Sequence, residues 1–497
     1  MGKVYIAGAG PGDTGLITYK CLEILKKADV VIYDFLANRE LLFYAKDGAE
    51  KIYVGKRGSQ HEMEQQDIND LLARKAKETE IVLRLKGGDP FLFGRGGEEA
   101  EFLQKEGIPY EVIPGVTSAI SAPAYAGIPL THRDLSSAVM IVTGHEAEGK
   151  EQSSIDWKLL SSFGGTIVFL MGMKNISTIK ENLIREGKNP DTPVCVIQWG
   201  TTPRQKVIVS ELRNVDEEIK KASIGPPAII VIGEVVKLRD KVGWFESLPL
   251  FGKKIAITRP CTQSLELAEL LKSKGAEVLF IPTIKIVPIT PNETLDRAIE
   301  SLNSYYGIIF TSQNGVRYFF KRLFEKGFDS RSLSGTRVFA MGPKTASEIL
   351  SYGIRPDFVP SNYLSEGIVE ILRDLDLANK KFLLPRAYEA RDLIPKFIRS
   401  SGGFCDVIPI YKTELPDIKE EIKETPDIIT FTSSSTVRNF VALYGVDILR
   451  NSKVASIGPV TSKTLRDMKI EVDVEAKRHD VQGLAEEIEK FLRRTCS

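Results

Sequence analysis

The chain has 497 residues, about three times a typical domain, so we expect two to four domains with ample hydrophobic core. Hydrophobic residues make up 42% and charged residues 27% of the sequence, which excludes a disordered, collagenous or coiled-coil chain. Lys and Arg total 67 against 66 Asp and Glu, and the net charge of +1 argues against a general nucleic-acid binder.

The first half alternates short apolar runs with longer amphipathic stretches, a pattern typical of α/β layers. It extends to about residue 245, and a segment rich in Pro, Gly and small residues at 113–133 predicts two subdomains, about 1–115 and 116–245. The partly apolar segment at 242–254 is predicted to link docked units. The predicted strands lie within KVYIAGAG, ADVVIYD, EIVLRLKGGDP, SAVMIVTGH, GTIVFLMG, TPVCVIQWG and AIIVIGEVV.

Two glycine-rich turns follow strands in this half. The turn GAGPGD at 8–13 fails the dinucleotide fingerprint because Asp13 replaces the third glycine and Pro11 lacks an N–H. A nicotinamide-dependent oxidoreductase is therefore a weaker alternative, and a plain strand-to-helix turn stays open. The loop at 84–99, RLKGGDPFLFGRGGEE, allows close backbone approach to a ligand, and Asp89 is able to accept hydrogen bonds from ribose hydroxyls or an amine.

Beyond Lys253 the sequence repeats itself, which predicts two similar α/β lobes. FTSQNGVR at 310–317 matches FTSSSTVR at 431–438, and AMGPKT at 340–345 matches SIGPVT at 456–461. KKIAITRP and FIPTI likewise match KKFLLPRA and VIPIY. These motifs place hydroxyls and backbone N–H groups at helix starts, where carboxylates bind, although ordinary capping explains each hydroxyl taken alone.

The five cysteines form no CxxC pair and have no ligand spacing with the four histidines, so we expect no metal site and a reducing compartment. The N-terminus lacks a signal-peptide pattern, and no apolar run approaches the roughly 20 residues of a membrane span. We therefore predict a cytoplasmic protein without membrane or nucleic-acid partners.

Residues 1 to about 245 closely resemble uroporphyrinogen-III C-methyltransferase, a tetrapyrrole methylase. The resemblance rests on the order of GAGPGD, VVIYDFLAN, GKRGSQH, RLKGGDPFLFGRGGEE, IPGVTSAISAPAYAGIPLTHR, TGH, FLMGM, TPVCVIQWGTT and PAIIVIGEVV. It implies two α/β domains with S-adenosyl-L-methionine (SAM) in the cleft between them, usually in a homodimer. The implied SAM contacts are Pro11, Gly87, Gly88, Asp89, Leu92, Thr117, Ser118, Met171 and Gly200.

Methyl transfer to a pyrrole carbon is an in-line displacement, so the protein must align the reactants, exclude water and accept a proton. The resemblance makes Asp34, at the end of VVIYD, a candidate base and Lys56 a candidate acid. Helix capping by Asp34 and a carboxylate clamp at Lys56 stay open as alternatives. The expected cations for a substrate with eight carboxylates are Lys56, Arg57, Arg84, Lys86, Arg95, His132 and Arg133.

Residues 253–497 resemble uroporphyrinogen-III synthase in the order of TRP, FTSQNGV, AMGPKTA, LLPRA, VIPIYKTE, FTSSSTV and SIGPVTSKTL. The resemblance implies two flavodoxin-like lobes, one from about 253–285 plus 412–497 and the other from about 286–411. It makes Tyr411 a candidate to assist hydroxide departure from hydroxymethylbilane, since a tyrosine of pKa about 10 arrives protonated. The implied ligands of the propionate and acetate arms are Thr311, Ser312, Thr345, Ser433, Ser434 and Thr461.

The two resemblances together predict an α/β bifunctional enzyme of tetrapyrrole biosynthesis. It would cyclise hydroxymethylbilane to uroporphyrinogen III with inversion of the last pyrrole, then methylate the product twice to precorrin-2 on the siroheme or cobalamin route. One alternative is a methylase of another precorrin fused to a non-catalytic tetrapyrrole-binding module. Another is a binding protein that senses SAM or a tetrapyrrole.

Overall fold

The structure is a computed structural model that describes residues 1–46, 48–55, 63–145, 154–416, 422 and 424–495. Its described residues form four five-stranded sheets with helices packed against them, which confirms the α/β class. No helix in these ranges combines the length and apolar character needed to cross a membrane.

The first sheet is formed within residues 3–113. Its strands and nearby helices are β1 (Lys3–Gly8), α1 (Tyr19–Leu25), β2 (Val30–Tyr33), β3 (Glu50–Tyr53), α2 (Gln65–Glu78), β4 (Ile81–Lys86), α3 (Gly96–Lys105), β5 (Tyr110–Ile113) and α4 (Ser118–Tyr125). The strand order is β3-β2-β4-β1-β5, and all pairs are parallel. Val30 and Val31 belong to two different buried clusters, so helices cover both faces of this sheet.

The second sheet is mixed and lies within residues 139–232. Its elements are β6 (Val139–Thr143), α5 (Trp157–Ser162), β7 (Thr166–Leu170), α6 (Ile176–Arg185), β8 (Pro193–Gln198), β9 (Lys206–Glu211), α7 (Val215–Lys221), β10 (Ala228–Ile232) and α8 (Arg239–Val242). The order is β6-β7-β10-β8-β9, with β10 antiparallel to both of its neighbours. Helix α4, which follows the last strand of the first sheet, packs against β7 and β10 of the second sheet.

The remaining two sheets are formed by residues 254–475. Their strands are β11 (Lys254–Ile257), β12 (Glu277–Phe280), β13 (Lys285–Pro288), β14 (Gly307–Phe310), β15 (Arg337–Ala340), β16 (Lys381–Ala387), β17 (Phe404–Glu414), β18 (Ile428–Phe431), β19 (Lys453–Ser456) and β20 (Val474–Glu475). The helices are α9 (Cys261–Lys272), α10 (Glu293–Glu300), α11 (Gln313–Glu325), α12 (Pro343–Leu350), α13 (Ser365–Arg373), α14 (Leu393–Ser400), α15 (Ser434–Tyr444), α16 (Asp447–Arg450), α17 (Pro459–Asp467) and α18 (Val481–Thr495).

The strand orders confirm two flavodoxin-like lobes. The third sheet has the order β12-β11-β18-β19-β20 with all pairs parallel, which is the 2-1-3-4-5 order of that fold. The fourth sheet repeats the succession as β17-β16-β14-β15 and adds the antiparallel strand β13 at its edge. The sequence repeats therefore occupy equivalent positions, with the order of the two strand pairs along the chain exchanged.

The repeated FTS motifs form the same local structure in both lobes. Ser312 has φ −160° and ψ 158°, and Ser433 has φ −163° and ψ 159°. Each hydroxyl accepts a hydrogen bond from a backbone N–H three residues later, at 3.0 Å from Gly315 and 3.3 Å from Thr436. The capping interpretation of these two hydroxyls is confirmed.

The segment between the halves is packed on both sides. The Trp244 indole N–H donates to the Ala124 carbonyl at 3.1 Å, and the Phe245 ring lies 4.8 Å from that of Tyr125. On the other side, Leu250 is fully buried in the core of the third-sheet lobe, and its N–H donates to the Lys274 carbonyl at 2.8 Å. The two halves are therefore docked, as the partly apolar linker predicts.

Phe320 on α11 is fully buried and stacks on Tyr352 with 4.2 Å between ring centroids. Phe320→Ala is expected to lower the free energy of unfolding of this lobe by about 3–5 kcal/mol, because it removes a large core side chain and leaves a cavity. Chemical denaturation followed by circular dichroism measures this change.

Phe324, one turn further along the same helix, is 45% exposed and provides the matched control. Phe324→Ala is expected to change the same free energy by less than about 1 kcal/mol. Equal losses from the two substitutions would contradict this assignment of the core.

Candidate active sites

Two glycine turns meet at the carboxyl ends of β1 and β4. Gly10 and Gly88 exchange two backbone hydrogen bonds of 3.2 and 2.7 Å. A Cβ atom on Gly8 would lie only 2.4 Å from the Gly88 carbonyl oxygen and 2.5 Å from the Gly115 Cα. The close approach therefore requires glycine, and it creates a backbone-lined surface where α/β sheets place their ligands.

The second subdomain supplies the opposite wall through residues 199–202. The Asp13 N–H donates to the Thr201 hydroxyl at 3.2 Å, and a Cβ atom on Gly12 would lie 2.7 Å from Thr202 Cγ2. The crevice between the turns at 8–13, 87–89 and 199–202 therefore spans both subdomains, and we call it the glycine crevice.

Tyr125 and Asp13 reinforce this junction. The Tyr125 hydroxyl donates to an Asp13 carboxylate oxygen at 2.6 Å, and burial, followed by this hydrogen bond, raises the pKa of Tyr125. Trp199 and Thr201 adopt left-handed φ angles of 50° and 68°, which are strained for side chains of this size. Such strain is maintained only where neighbouring contacts fix the backbone.

Most of the predicted SAM contacts border the glycine crevice. Pro11 lies inside the first turn, and Thr117 caps α4 with its Cα 3.9 Å from where a Cβ on Gly88 would stand. Leu92 packs against the apolar cluster of the second subdomain. The other predicted residues that the structure brings to these turns are Gly87, Gly88, Asp89, Ser118 and Gly200.

Met171 lies apart from those contacts, directly after β7. Its side chain is exposed and its φ is 56°, in the left-handed region. Its part in SAM binding stays a prediction.

Asp89 holds three segments of backbone together. One carboxylate oxygen accepts hydrogen bonds from the N–H groups of Phe91 at 2.8 Å and Leu92 at 3.0 Å. The other oxygen accepts from the Gly115 N–H at 2.9 Å. An ionised carboxylate has about four acceptor sites, so one site is left for a ligand.

Asp34 organises its own turn and contacts the second glycine turn. Its Oδ1 atom accepts from the N–H groups of Leu36 and Ala37 at 3.2 Å and of Gly87 at 3.4 Å, while Oδ2 lies 3.5 Å from the Arg84 guanidinium. Asn38, and not Asp34, caps the following 3-10 helix. Oδ2 thus faces the long ionic contact with Arg84, and the role of Asp34 as the base stays a prediction.

The predicted cation set needs correction at two residues. Arg84 and Lys86 are 3% and 5% exposed, and both contact the fully buried Glu99, at 3.1 Å from Arg84 Nε and 2.8 Å from Lys86 Nζ. Burial, and then the neighbouring Arg84, lowers the pKa of Lys86, while Glu99 opposes the shift. The alternation along β4 turns these side chains into the protein, so they support the site from inside and do not line its mouth.

Other members of that set fall elsewhere. Arg95 is exposed and forms two hydrogen bonds, 2.8 and 2.7 Å, with Glu98. Lys56 and Arg57 lie outside the described residues, so the candidate acid Lys56 stays a prediction.

A cleft of about 490 Å³ separates the two C-terminal lobes. Its charged lining is Arg259 and Glu266 from one lobe and Arg317 and Lys344 from the other. Lys344 Nζ lies 3.0 Å from a Glu266 carboxylate oxygen across the cleft, and burial lowers the pKa of the Arg259 guanidinium. Arg317 also forms two 2.8 Å hydrogen bonds with Glu348, so an anionic ligand would compete with Glu348 for Arg317 and with Glu266 for Lys344.

Tyr411 lies beside this cleft on β17. Its hydroxyl is 2.8 Å from the Ser312 hydroxyl, and Gln313, the next residue, lines the cleft. Burial raises the pKa of Tyr411, the Ser312 hydrogen bond opposes the shift, and the charge of Glu389 adds to it. Tyr411 therefore holds its proton at neutral pH, and its role as a proton donor stays a prediction.

The remaining predicted hydroxyls are placed unequally. Thr311 is half-buried next to Ser312, and Ser434 accepts a 2.7 Å hydrogen bond from Thr464. Thr345 and Thr461 are buried within α12 and α17. Contact of these two hydroxyls with a carboxylate arm would require their helices to shift.

Three cations that line the interlobe cleft were not predicted from the sequence. Arg259, Arg317 and Lys344 stand in the motifs TRP, FTSQNGVR and AMGPKT, each near the start of a helix. The signal was a cation beside each conspicuous hydroxyl, combined with the need to bind a polyanion.

The described residues include neither a cysteine placed to react nor a cluster of metal ligands. Cys21, Cys195 and Cys405 are buried without disulfides, and burial raises the pKa of each to about 12, so they are thiols at neutral pH. In the same ranges, His, Cys, Asp and Glu form no group of three able to hold a metal ion.

Comparison with known proteins separates the chain at the same place as the sheets do. The family model described as "Tetrapyrrole (Corrin/Porphyrin) Methylases" matches residues 3–216, and that described as "Uroporphyrinogen-III synthase HemD" matches residues 266–486. A relative from Ruminiclostridium josui, "Porphyrin biosynthesis protein HemD", is 40% identical over 96% of this chain and 95% of its own length. The chain belongs to the tetrapyrrole methylases in its N-terminal half and to the uroporphyrinogen-III synthases in its C-terminal half.

Two further similarities concern the N-terminal half. An "S-adenosyl-L-methionine-dependent uroporphyrinogen III methyltransferase" from Methanosarcina barkeri is 51% identical over 49% of this chain and 95% of its own length. The crystal structure of a uroporphyrin-III C-methyl transferase from Thermus thermophilus, complexed with S-adenosylhomocysteine, is 40% identical. It covers 48% of this chain and 100% of its own, with a TM-score of 0.42.

Removal of the buried carboxylate is expected to destabilise the N-terminal half. Glu99→Gln leaves Arg84 and Lys86 without their shared buried counter-charge, and breaking such a pair costs about 3–5 kcal/mol. Denaturant unfolding of the full chain, followed by near-ultraviolet circular dichroism, measures the loss.

The neighbouring Glu98→Gln is the control, because Glu98 pairs with Arg95 at the surface and such pairs contribute about 0–1 kcal/mol. If Glu99→Gln were as mild as Glu98→Gln, the buried charge cluster would not support this half of the protein.

Proposed function

We propose that this chain converts hydroxymethylbilane to uroporphyrinogen III in its C-terminal unit, 253–497, and methylates that product twice with SAM in its N-terminal unit, 1–245, giving precorrin-2. The observation that carries the proposal is the glycine crevice joined in one chain to a cationic interlobe cleft. Each site lies in the half that belongs to the matching family, and the product of one reaction is the substrate of the next.

The glycine crevice suits a sulfonium ligand. SAM supplies a methyl group on a positively charged sulfur. Three carboxylates, Asp13, Asp34 and Asp89, border the crevice, while Arg84 offsets part of the charge of Asp34. A cation is therefore favoured there, and glycine turns without side chains allow its adenosine part to lie against the backbone.

The chain's own contribution to methyl transfer is alignment and proton removal. The crevice turns hold donor and acceptor in contact, and the exposed side chains of Phe35, Phe91 and Phe93 provide apolar surface to exclude water. Asp34 Oδ2 accepts the proton that the attacking pyrrole releases. Lys56 is proposed as the acid or carboxylate clamp of the same reaction.

The interlobe cleft suits the linear bilane. Arg259, Arg317 and Lys344 bind carboxylate arms, aided by the helix starts that Ser312 and Ser433 cap. The bond between carbon and hydroxyl oxygen breaks, and the oxygen leaves as water with the proton of Tyr411. The substituted α-carbon of the last pyrrole then attacks the cation that remains and forms a spiro intermediate. Its bond to the neighbouring methylene breaks, that methylene bonds to the free α-carbon of the same pyrrole, and the proton lost there returns to the Tyr411 phenolate. The macrocycle thus closes with its last pyrrole inverted.

The product assay tests both activities in one protein. Hydroxymethylbilane alone is expected to give the type III macrocycle, and added SAM is expected to increase the product mass by two methyl groups. Mass spectrometry and isomer analysis read the outcome. A type I macrocycle would contradict the proposed synthase function, and an unmethylated product in the presence of SAM would contradict the proposed methylase function.

Substitutions at the two sites should act independently. Asp34→Asn is expected to slow methylation by at least about 100-fold and spare cyclisation, because it removes the base without removing the side chain. Tyr411→Phe should slow cyclisation and spare methylation. Loss of both reactions in either variant would show a general effect on folding and contradict these roles.

We further propose a cytoplasmic homodimer that forms through the methylase half. Its support is the set of large exposed apolar side chains near the crevice, including Phe91, Phe93 and Ile120. The buried unpaired cysteines agree with a reducing compartment.

Sedimentation of the full chain is expected to give a dimer. Ile120→Asp should shift it towards the monomer by placing charge in the interface, whereas Leu350→Asp, at an exposed position in the synthase half, should not. A monomeric parent protein, or a dimer unaffected by Ile120→Asp, would contradict the proposed interface.

A further inference from the structure

One edge of the synthase half contacts the first subdomain of the methylase half. Lys272, at the end of α9, forms an ion pair with Glu40. Phe280, at the end of β12, packs edge-on against Phe43, with 5.0 Å between ring centroids and 69° between ring planes. The contact therefore combines a charge pair with aromatic packing.

This contact reaches the glycine crevice through one short helix. Glu40 and Phe43 belong to the 3-10 helix Arg39–Tyr44, which Asn38 caps. The Asn38 amide also donates to the Gly12 carbonyl at 2.7 Å. A shift of this helix would therefore move the turn at 8–13.

The same edge also contacts the second subdomain. Glu277, at the start of β12, lies 3.3 Å from the Arg204 guanidinium. Arg204 stacks on the Trp199 ring at 4.7 Å, and that ring lies 6.2 Å from the ring of Phe35, next to Asp34. Lys272, Glu277 and Phe280, which we call the brace, thus connect to both walls of the crevice.

The charged members of the brace are largely shielded from water. The side chains of Lys272 and Glu277 are 25% and 18% exposed. Burial lowers the pKa of Lys272 to about 8 and raises that of Glu277, while the opposite charges of Asp13 and Arg204 act against these shifts. Partly buried pairs are screened less by salt than surface pairs, so these contacts are expected to persist at physiological ionic strength.

We propose that the brace fixes the separation of the two methylase subdomains, so that Lys272, Glu277 and Phe280 of the synthase half are positioning residues for SAM binding. The inference rests on the proposed function of the crevice. The Methanosarcina barkeri relative aligns over 95% of its own length with about half of this chain, so the brace belongs to the fused architecture. Holding the glycine crevice at the width that binds SAM reduces the free energy that binding would otherwise spend on ordering the two subdomains.

Charge reversal in the full chain tests the brace. Glu277→Arg and Arg204→Glu are each expected to raise the KM for SAM and the Kd of S-adenosylhomocysteine about 3- to 30-fold, with the kcat of cyclisation unchanged. The double variant, which restores the pair in reverse, should return both constants to within about 2-fold of the parent. Calorimetry and steady-state kinetics give the values.

Lys272→Met should weaken SAM binding in the same way. Lys274→Met is its matched control, because Lys274 pairs with Glu489 inside the synthase lobe, at similar exposure and without contacting the crevice. An unchanged KM for SAM and an unchanged Kd of S-adenosylhomocysteine in both Lys272→Met and Glu277→Arg would contradict the proposed role of the brace in SAM binding. Failure of the double variant to recover would do so too, since it would indicate general destabilisation.

Hydrogen exchange separates failure of the brace from failure of the proposed function. If the parent chain bound no S-adenosylhomocysteine, the assignment of the crevice would fall. The brace would still predict faster amide exchange in the turns at 8–13 and 199–202 of Lys272→Met than of Lys274→Met. Equal amide exchange in the two variants would contradict the proposed role of the brace, whether or not the crevice binds S-adenosylhomocysteine.

Discussion

The N-terminal site depends on a backbone contact that only glycine permits. Gly10 and Gly88 bond to each other directly, and the Cα atoms of Gly8 and Gly115 approach so closely that a side chain on either would overlap the other's backbone. Because no side chain separates these turns, the carboxylates around them are set by backbone position. Asp89 shows this, since its oxygens hold the turns of both β4 and β5.

The strands that the sequence predicts and those it misses differ in where they lie. The apolar runs of the first half correspond to β1, β2, β4, β6, β7, β8 and β10, most of them sheet interiors. The missed strands β3, β5 and β9 all lie at sheet edges, where one side is unpaired, and each contains charged residues that shorten its apolar run. In the second half, repetition of whole motifs indicated most strands without depending on hydrophobicity, but it did not indicate β13 and β20, which also lie at sheet edges.

The sites were predictable where backbone geometry dictates the residue and not where burial decides its role. Glycine turns and capping serines can be recognised from sequence because few residues satisfy those geometries. The sequence KGG does not show whether Lys86 faces solvent or the interior. In the structure Lys86 is buried and forms an ion pair with Glu99, at the other end of the same motif. Arg259 and Lys344 come together only when two lobes face each other, which no local pattern encodes.

The third sheet has a consequence for the order in which the newly made chain folds. Strand β11 pairs with β18, about 170 residues later, so this lobe lacks its central partner until those residues have been made. The lobe between them has all of its strands earlier, and the methylase half earlier still. A nascent chain therefore carries the β11–β12 pair without its β18 partner beside a finished methylase, and contact with that finished surface offers the pair temporary cover until its own sheet is complete.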